Sequence, residues 1–298
     1  MNRFRWLPVA GLLLSVGPLA GQSKAGADLT YLVTTSALFD SNLDHDETPV
    51  GAYGGVFGVG VEFRNRRAQP TFEFAYGMAG HRYSITAPWN RISHGGRIGV
   101  TLRPSGRVAV ATEIEAAFRG SSEDRDLSDQ FKASQGLSWR FLRRTKLEVA
   151  GGARIRRFPT TPERDARNVY TEAELTQGLS RRVDWTGSFR LERNDADSTR
   201  YSYVRETVSS QLAIDGGTMR LSIEGKFRRQ QYLARLADSK APTVLRVDHR
   251  LQFGLDWTVV PRGGIEITLG YGFERRRSNE AQKGFLAHQV GLSLTRRW

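Results

Sequence analysis

The sequence contains no cysteine. Disulfide bonds, lipid anchoring through a cysteine, thiol catalysis and cysteine-based metal sites are therefore excluded. After its first 20 residues the chain also lacks a long apolar run, and its mean hydropathy is −0.45. Because a helix that spans a bilayer needs roughly 20 consecutive apolar residues, a helical membrane protein is excluded as well.

Charge is plentiful in this chain, but it is not concentrated. The 44 basic and 31 acidic residues give a formal net charge of +13. The charges are spread along the sequence, which has neither a basic stripe, nor an aromatic stacking platform, nor a known nucleic-acid-binding module. We therefore expect no nucleic-acid partner.

The first 27 residues have the organisation of a secretory signal. Residues 1–5 include two arginines, residues 6–20 are mostly apolar, and Ala25, Gly26 and Ala27 form an A-x-A cleavage site. The apolar part is too short to span a bilayer. We predict a cleaved signal peptide at residues 1–27, with cleavage after Ala27 favoured and cleavage after Gly21 as the alternative.

Apolar and polar residues alternate from residue 28 to residue 298. Such alternation is typical of strands with one apolar and one polar face, and fourteen segments show it. The connections alternate between tight ones, such as residues 142–145, and longer ones, such as residues 40–50 and 230–243. An even strand number with alternately short and long connections is typical of bacterial transmembrane barrels. We therefore predict one domain over residues 28–298, an all-β, transmembrane, antiparallel up-and-down β-barrel, with fourteen strands favoured over twelve or sixteen.

The last segment carries apolar residues on one face and ends on an aromatic residue. The residues that share this face are Val290, Leu292, Leu294 and Trp298. A terminal aromatic residue after an alternating strand resembles the C-terminal signal of bacterial outer-membrane barrels. The resemblance implies insertion by the barrel-assembly machinery, contact with outer-membrane lipid, and location in the outer membrane of a Gram-negative type of envelope. Such a strand must pair with the first one, because an open sheet edge is not tolerated in hydrocarbon.

Aromatic residues near the strand ends fit the two membrane interfaces. Tyrosine and tryptophan are enriched where the apolar wall of a membrane protein meets water. On this ground we predict an interfacial girdle that contains Tyr83, Trp89, Tyr201, Tyr203, Tyr232 and Tyr271.

The polar faces of the strands are expected to line the barrel lumen, and many of their residues are charged. The candidate lumen residues are Arg97, Arg140, Arg154, Arg156, Arg190, Arg220, Arg228, Arg246, Arg250, Glu113, Glu115, Glu172, Glu174 and Glu224. One interpretation is a solute path in which arginines and carboxylates create a field across a constriction. The other is that these charges pair across strands and fill the interior.

The number of strands does not decide between these two interpretations. Fourteen lies between the eight strands of a filled barrel and the sixteen or more of an open one. The first three strands contribute mostly small residues to the polar face, with Gly54, Gly58, Gly60 and Gly77 among them. Because filling the lumen with side chains would require bulk there, these residues favour a solute path.

No metal site or cofactor is predicted. Acidic residues cluster in two predicted loops, residues 40–47 and 123–129, and clustered carboxylates can bind calcium. Their spacing, however, does not match an EF-hand loop. We interpret both clusters as solvated loops.

No catalytic site is predicted either. His94, His249 and His288 have the parity of the lipid-facing residues, whereas His45 and His81 fall in predicted loops. Ser93 and Ser293 have no histidine at a convincing position, and a hydrolase needs a nucleophile, a base and an orienting group together. We therefore predict that the protein is not an enzyme.

Four consecutive residues at the end of the first strand form a recognisable pattern. Phe39, Asp40, Ser41 and Asn42 resemble the aromatic-Asp-Ser/Asp-Asn signature of a loose group of outer-membrane barrels. The group includes β-barrel porins encoded near exopolysaccharide genes and the barrels of surface-lipoprotein assembly modifiers. The resemblance implies a barrel that serves transport or surface assembly. The structural alternative is an Asx turn that ends the strand.

These observations lead to three hypotheses on function. The first is a porin-like channel for small hydrophilic solutes that favours anions, because arginines are numerous among the candidate lumen residues. The second is a non-conducting structural or assembly barrel for export of a surface polymer or a lipoprotein. The third, ranked last, is an enzyme that acts on outer-membrane lipid or polysaccharide.

Overall fold

The computed structural model describes residues 27–42, 50–65, 69–84, 91–121, 127–237, 244–261, 264–280 and 283–298. Within these ranges the chain forms fourteen strands: β1 (Ala27–Asp40), β2 (Ala52–Asn65), β3 (Thr71–Tyr83), β4 (Arg91–Leu102), β5 (Val108–Ser121), β6 (Leu127–Leu142), β7 (Thr145–Arg157), β8 (Ala166–Gly178), β9 (Val183–Ala196), β10 (Tyr203–Asp215), β11 (Met219–Leu236), β12 (Leu245–Val259), β13 (Ile265–Ser278) and β14 (Phe285–Arg297). Short 3₁₀ helices, Pro162–Arg164 and Thr199–Tyr201, precede β8 and β10. Over the described residues, no helix has the length and apolar character needed to cross a membrane.

The strands form one closed antiparallel barrel. Each strand pairs with its neighbours in the sequence, and β1 pairs with β14. Connections of two to five residues join β2 to β3, β4 to β5 and so on to β12 and β13, at what we call the turn end. Connections of five to eleven residues lie at the opposite, loop end. The predicted fold and the predicted alternation of connections are both confirmed.

The outer wall of the barrel is mostly apolar. In β6, for example, Phe131, Leu137 and Trp139 point outward and are 46%, 50% and 49% exposed. Lys132 and Arg140, on the other parity of the same strand, point into the lumen. Alternation of this kind, apolar outside and polar inside, is the pattern of a barrel whose outer face contacts lipid.

Tight turns with special backbone geometry fix the register between strands. Between β10 and β11 the chain reverses at Gly217, whose φ is 89°. This left-handed conformation favours glycine. The backbone N–H of Gly217 also donates to Asp215 Oδ1 at 2.8 Å, so the turn pairs Asp215 with Arg220 and sets the inward parity of both strands.

The residues at the end of β1 fasten the loop end of the seam between β1 and β14. Asp40 and Asn42 are each 1% exposed. The backbone N–H of Asn42 donates to Asp40 Oδ1 at 2.9 Å, which is an Asx turn. Gln289 Nε2, on β14, donates to Asp40 Oδ2 at 2.7 Å. The Asx turn and the outer-membrane signature are thus the same four residues, and they link the two strands that close the barrel.

Further hydrogen bonds hold this seam at both ends. The backbone N–H of His288 donates to Ser41 Oγ at 2.8 Å, and that of Ser41 donates to the carbonyl of His288 at 2.9 Å. At the turn end, Tyr31 and Trp298 exchange two backbone hydrogen bonds of 3.2 and 3.1 Å. The prediction that the last strand pairs with the first is confirmed.

Three of the predicted girdle tyrosines lie inside the barrel, so the prediction is wrong for them. Tyr83, Tyr203 and Tyr232 are 5%, 4% and 8% exposed, and each has the lumen-facing parity of its strand. Position near a strand end does not distinguish an interfacial tyrosine from a lumen-facing one, whereas strand parity does. Tyr271 does lie on the outer wall, with its hydroxyl 2.9 Å from His288 Nδ1.

Two other expectations concern the limits of the elements. β11 runs to Leu236, so residues 230–236, predicted as a loop, belong to a strand. A register shift between Gln231 and Leu236 breaks the alternation there, which concealed the strand. The predicted signal peptide, apart from Ala27, lies outside the described residues, as do His45, Trp89 and most of both acidic clusters.

We expect Asp40→Ala to lower the free energy of unfolding of the refolded barrel by about 3 to 6 kcal/mol. The substitution removes the buried acceptor of the hydrogen bonds from Asn42 and Gln289, and hydrogen bonds to a charged group contribute roughly 1.5 to 3 kcal/mol each. Urea unfolding in detergent measures the change.

Asp215→Ala is the matched control for this prediction. It removes a comparable bond from a backbone N–H to a carboxylate, but in an exposed turn where water replaces the lost acceptor. Equal losses of stability in the two variants would contradict the role of Asp40 in the seam.

Candidate functional site: the charged lumen

The structure places all of the predicted lumen residues on the inner face of the barrel. Each lies on the parity opposite to the exposed apolar side chains of its own strand. Arg154, Arg156 and Arg228 lie in the loop half of their strands, whereas Arg97, Arg140 and Arg220 lie in the turn half. The predicted set is therefore divided between two levels of the lumen.

The sign of the lumen charge changes from one end of the barrel to the other. In the regularly paired parts of the described strands, the loop half has ten basic residues against six acidic ones, a surplus of four positive charges. The basic residues are Arg91, Lys132, Arg154, Arg156, Arg190, Arg205, Arg228, Arg246, Arg250 and Arg276. The acidic residues are Asp40, Glu115, Glu172, Glu192, Asp248 and Glu274.

The turn half has the opposite balance. Here seven basic residues face eleven acidic ones among the described strands, a surplus of four negative charges. The basic residues are Arg64, Arg97, Arg140, Lys146, Arg220, Lys226 and Arg297. The acidic residues are Asp28, Glu62, Glu73, Glu113, Glu148, Glu174, Asp184, Asp215, Glu224, Asp256 and Glu266. The lumen as a whole is balanced, so its electrostatic character lies in this separation.

One carboxylate holds several arginines of the loop half. Glu192, on β9, is 2% exposed. Arg190 Nη2 lies 2.7 Å from its Oε2, Arg154 Nη2 lies 3.2 Å from both oxygens, and Arg205 Nη1 lies 3.6 Å from its Oε1. Asn168 Nδ2, on β8, also donates to Glu192 at 3.2 Å. Side chains from four consecutive strands, β7 to β10, therefore meet at this carboxylate.

A layer of neutral polar groups supports the arginine next to this cluster. Arg156 donates to Asn168 Oδ1 at 3.2 Å, to Asn194 Oδ1 at 2.6 Å and to the hydroxyl of Tyr203 at 2.9 Å. The Tyr203 hydroxyl in turn donates to Glu192 at 3.2 Å. Amide and phenol groups therefore surround the Arg156 guanidinium and fix its position beside the Glu192 cluster.

A second cluster of the same kind lies on β12 and β13. Asp248, 5% exposed, accepts two hydrogen bonds from Arg246 at 2.9 and 2.8 Å and also pairs with Arg276. Arg250 pairs with Glu274 at 3.1 Å. Asp248 is thus shared between two arginines, and Arg246 Nη1 also pairs with Glu280 Oε2 at 2.8 Å.

Four other predicted residues, Glu113, Glu115, Glu172 and Arg220, also have charged partners. Lys132 lies 3.6 Å from Glu113 and 3.3 Å from Glu115, and Arg190 lies 3.9 Å from Glu172. The prediction of cross-strand pairing thus applies to much of the wall. Towards the turn end a cavity of about 280 Å³ remains between side chains of β4 to β7, Lys146 among them.

Side chains partly cover the inner wall of small residues on β1 to β3. The ring of Tyr83 lies so close to Gly54 that a Cβ there would stand 2.5 Å from its Cδ1. Leu38, Ala52 and Tyr83 form a small apolar cluster with Val56 at the loop end. Gly54 is therefore a place of close packing, while Gly58 has only ordinary neighbours on adjacent β3.

The expectation that Ser93 has no histidine near it is wrong. His81 lies in β3 and not in a loop, and its Nε2 is 2.9 Å from Ser93 Oγ. The two residues are 5% and 2% exposed, and Nδ1 of His81 has no hydrogen-bond partner among the described residues. The neighbour of His81 across the strand pair is Arg91, a cation, and not the acid that orients the base of a catalytic triad.

Several residues of the loop-half network were not predicted. Arg205 and Gln230 bond to each other at 2.9 and 2.6 Å, and Asn168 and Asn194 support Arg156. The parity of β10 could have located Arg205, because it shares its face with Tyr203. Parity could not place Gln230 in the lumen, because the sequence pattern predicts a loop at residues 230–243. The part of the chain that the structure describes contains no group of three His, Asp or Glu side chains arranged to hold a metal ion.

We expect Glu192→Gln to lower the free energy of unfolding by about 3 to 5 kcal/mol, because removing one partner of a buried ion pair leaves buried charge uncompensated. Thermal unfolding of the refolded protein measures the loss. Glu206→Gln, on the adjacent strand, is the control, since its pair with Arg229 is exposed and such pairs contribute at most about 1 kcal/mol. Similar effects of both substitutions would contradict the assignment of Glu192 as the centre of the network.

No protein-family model matches the sequence, and no curated protein matches it. Solved structures do match the fold. The outer membrane channel DcaP of Acinetobacter baumannii superposes with a TM-score of 0.56 at 11% identity, over 93% of this chain and 99% of that one. The anion-selective porin from Comamonas acidovorans superposes with a TM-score of 0.55 at 7% identity, over 91% and 99%.

A bacterial polysaccharide outer membrane secretin also matches, with a TM-score of 0.54 at 11% identity, over 90% of this chain and 98% of that one. Identities this low establish the fold alone. In each case nearly the whole of both chains is superposed, so the likeness concerns the complete barrel. The chain is therefore a β-barrel of the outer-membrane type, with the fold of outer-membrane channels and porins.

Proposed function

We propose that the protein is a porin-like channel of the outer membrane that passes small hydrophilic solutes and favours anions. The observation that carries the proposal is the surplus of four positive charges in the loop half of the lumen. A passage lined by one sign of charge between low-dielectric walls raises the local concentration of ions of the opposite sign. We call the charged residues of the loop half of the lumen the basic layer. An anion that arrives from the loop end meets this layer first.

The carboxylates of the basic layer give its arginines a defined geometry. Glu192 and Asp248 each bind more than one arginine, so the guanidinium groups are held along the wall while the layer stays basic. We propose that Lys132, Arg190 and Arg276, whose side chains are 14%, 22% and 18% exposed, contact the solute. Partial exposure allows them to replace part of its hydration shell.

We further propose that the protein catalyses no reaction. The one serine–histidine pair found within the described part of the lumen, Ser93 with His81, is buried and faces Arg91. A serine nucleophile needs both access to substrate and a base that can hold a proton beside an orienting acid. The surroundings of this pair supply neither.

Export and assembly complete the proposal. Residues 1–27 serve as a signal peptide, and the face formed by Val290, Leu292, Leu294 and Trp298 serves as the assembly signal. The exposure of these four side chains on the outer wall, 42% to 55%, supports this role, since a factor that inserts the barrel can reach them. Lipid contacts the same wall in the finished barrel.

A second candidate, a non-conducting barrel for surface polymer or lipoprotein export, is supported by the thickness of the loop-half network. Arg205, Arg246 and Arg250 are 3%, 2% and 4% exposed, so side chains cover the wall there and narrow the passage. The fold is also that of a polysaccharide secretin. This candidate requires a lumen that small ions do not cross.

The test of the channel is the reversal potential of the refolded barrel in a planar bilayer under a salt gradient. Lys132→Gln, Arg190→Gln and Arg276→Gln are combined in one variant. We expect the ratio of anion to cation permeability to fall by at least about twofold, because the variant removes three positive charges from a constriction.

The matched control carries Arg229→Gln, Arg275→Gln and Arg277→Gln. It loses the same charge from the outer wall, where the side chains do not face the lumen, and we expect its permeability ratio to be unchanged. Equal shifts in both variants would contradict selection by the lumen. A folded wild-type barrel that carries no current would support the second candidate instead.

A further inference from the structure

Charged residues on the outer wall are concentrated at one end of the barrel. In the turn half of the described strands, the outward-facing residues are apolar or uncharged except for Arg296. In the loop half, seven arginines face outward against three acids. The arginines are Arg82, Arg157, Arg167, Arg193, Arg229, Arg275 and Arg277, and the acids are Asp129, Asp195 and Glu206.

We call these seven outward-facing arginines the basic belt. Ion pairs on the wall itself neutralise only some of them. Arg193 lies 3.0 Å from Asp195, and Arg229 lies 3.5 Å from Glu206. Both pairs are exposed, with side chains 44% to 61% accessible. Arg275 and Arg277 have no ion pair or hydrogen bond within the described residues. The belt therefore presents guanidinium groups that are free to bind an anion.

The densest part of the belt lies on β11, β12 and β13. Arg229 is the direct cross-strand partner of His249, and His249 is the direct partner of Arg277. Arg275 is two residues nearer the turn end on the same face and pairs with Leu251. Side chains directly opposite each other have Cβ atoms about 4.5 to 5.5 Å apart, so these four groups form one compact basic patch.

The position of this patch along the barrel matches a membrane interface. Arg275 lies ten residues from Ile265, the first residue of β13 at the turn end. Ten residues of strand are about 33 Å long, which is about 25 Å along the axis for a strand tilted by roughly 40° and equals the usual height of the apolar band. Arginine is unfavourable at the centre of a bilayer but tolerated at its surface.

From this placement we propose that Arg229, Arg275 and Arg277 form a binding site for a phosphorylated lipid head group on the outer wall of β11 to β13. Guanidinium groups bind phosphate through two parallel hydrogen bonds, and three of them on one patch suit a head group with more than one phosphate. His249 adds a further donor. Phe227 and Leu251, next to the patch on the turn side, are 47% and 49% exposed and can contact the acyl chains.

The site rests on the membrane location within the proposed function, but it does not depend on conduction. Its residues face away from the lumen, whereas the residues proposed to contact solutes face into it. A failure of the lipid site would therefore leave the permeability ratio of the channel unchanged, and a channel that carries no current would leave lipid binding intact. The two proposals are tested by separate readouts.

The experiment is native mass spectrometry of the protein refolded in detergent and mixed with lipid A that carries two phosphates. We expect the wild-type protein to retain at least one lipid A molecule. The variant with Arg229→Gln, Arg275→Gln and Arg277→Gln should retain at least about fivefold less, since it loses its charged phosphate donors. Phosphatidylcholine, which has a phosphate but no net charge, should be retained equally and weakly by both.

The matched control carries Arg181→Gln, Arg182→Gln and Arg296→Gln, which removes three arginines at the turn end. Retention of lipid A by this control at the wild-type level supports the site. Equal loss in both variants would overturn it, because net charge alone would then explain binding. Displacement of lipid A by millimolar inorganic phosphate would also overturn it, because the patch would then be a site for free phosphate.

Discussion

Closure of the backbone hydrogen-bond ladder is the constraint on which the rest of the structure depends. Hydrocarbon offers no partner to an unpaired N–H or C=O group, so a sheet in a membrane must have no edge. The chain meets this requirement by pairing β1 with β14. Asp40, Asn42 and Gln289 fasten one end of that seam, and Tyr31 with Trp298 fastens the other. Once the ring is closed, strand parity assigns every side chain to lipid or lumen.

That assignment gives the barrel two charged regions with different surroundings. Inside, arginines are held by shared carboxylates such as Glu192 and Asp248, and the basic layer is confined to the loop half of the lumen. Outside, arginines at the same end face away from the barrel axis and have few acidic neighbours. The position of each charged residue in the period-2 pattern decides which region it joins. We propose that the inner region contacts solutes and that the outer region contacts the membrane surface.

The sequence contains enough information to predict the fold, because alternation over fourteen segments and alternating connection lengths are properties of the chain alone. Parity also places Arg154, Arg190 and Glu172 in the lumen. It cannot show which charges meet across strands, since that depends on register. His81 and Ser93 lie twelve residues apart in sequence and came together only through the pairing of β3 with β4. The position of Tyr203 near a strand end predicts an interfacial residue, whereas its parity agrees with its place in the lumen.

The central claim is that the lumen is a continuous path past the basic layer. The most direct test is osmotic swelling of vesicles that contain the wild-type barrel, placed in isosmotic solutions of a small neutral sugar or a small carboxylate. We expect swelling in both solutions, and faster swelling in the carboxylate than in a sugar of equal size, because the loop half carries the positive surplus. Vesicles that do not swell, although the barrel is folded in them, would contradict it and leave a closed structural barrel.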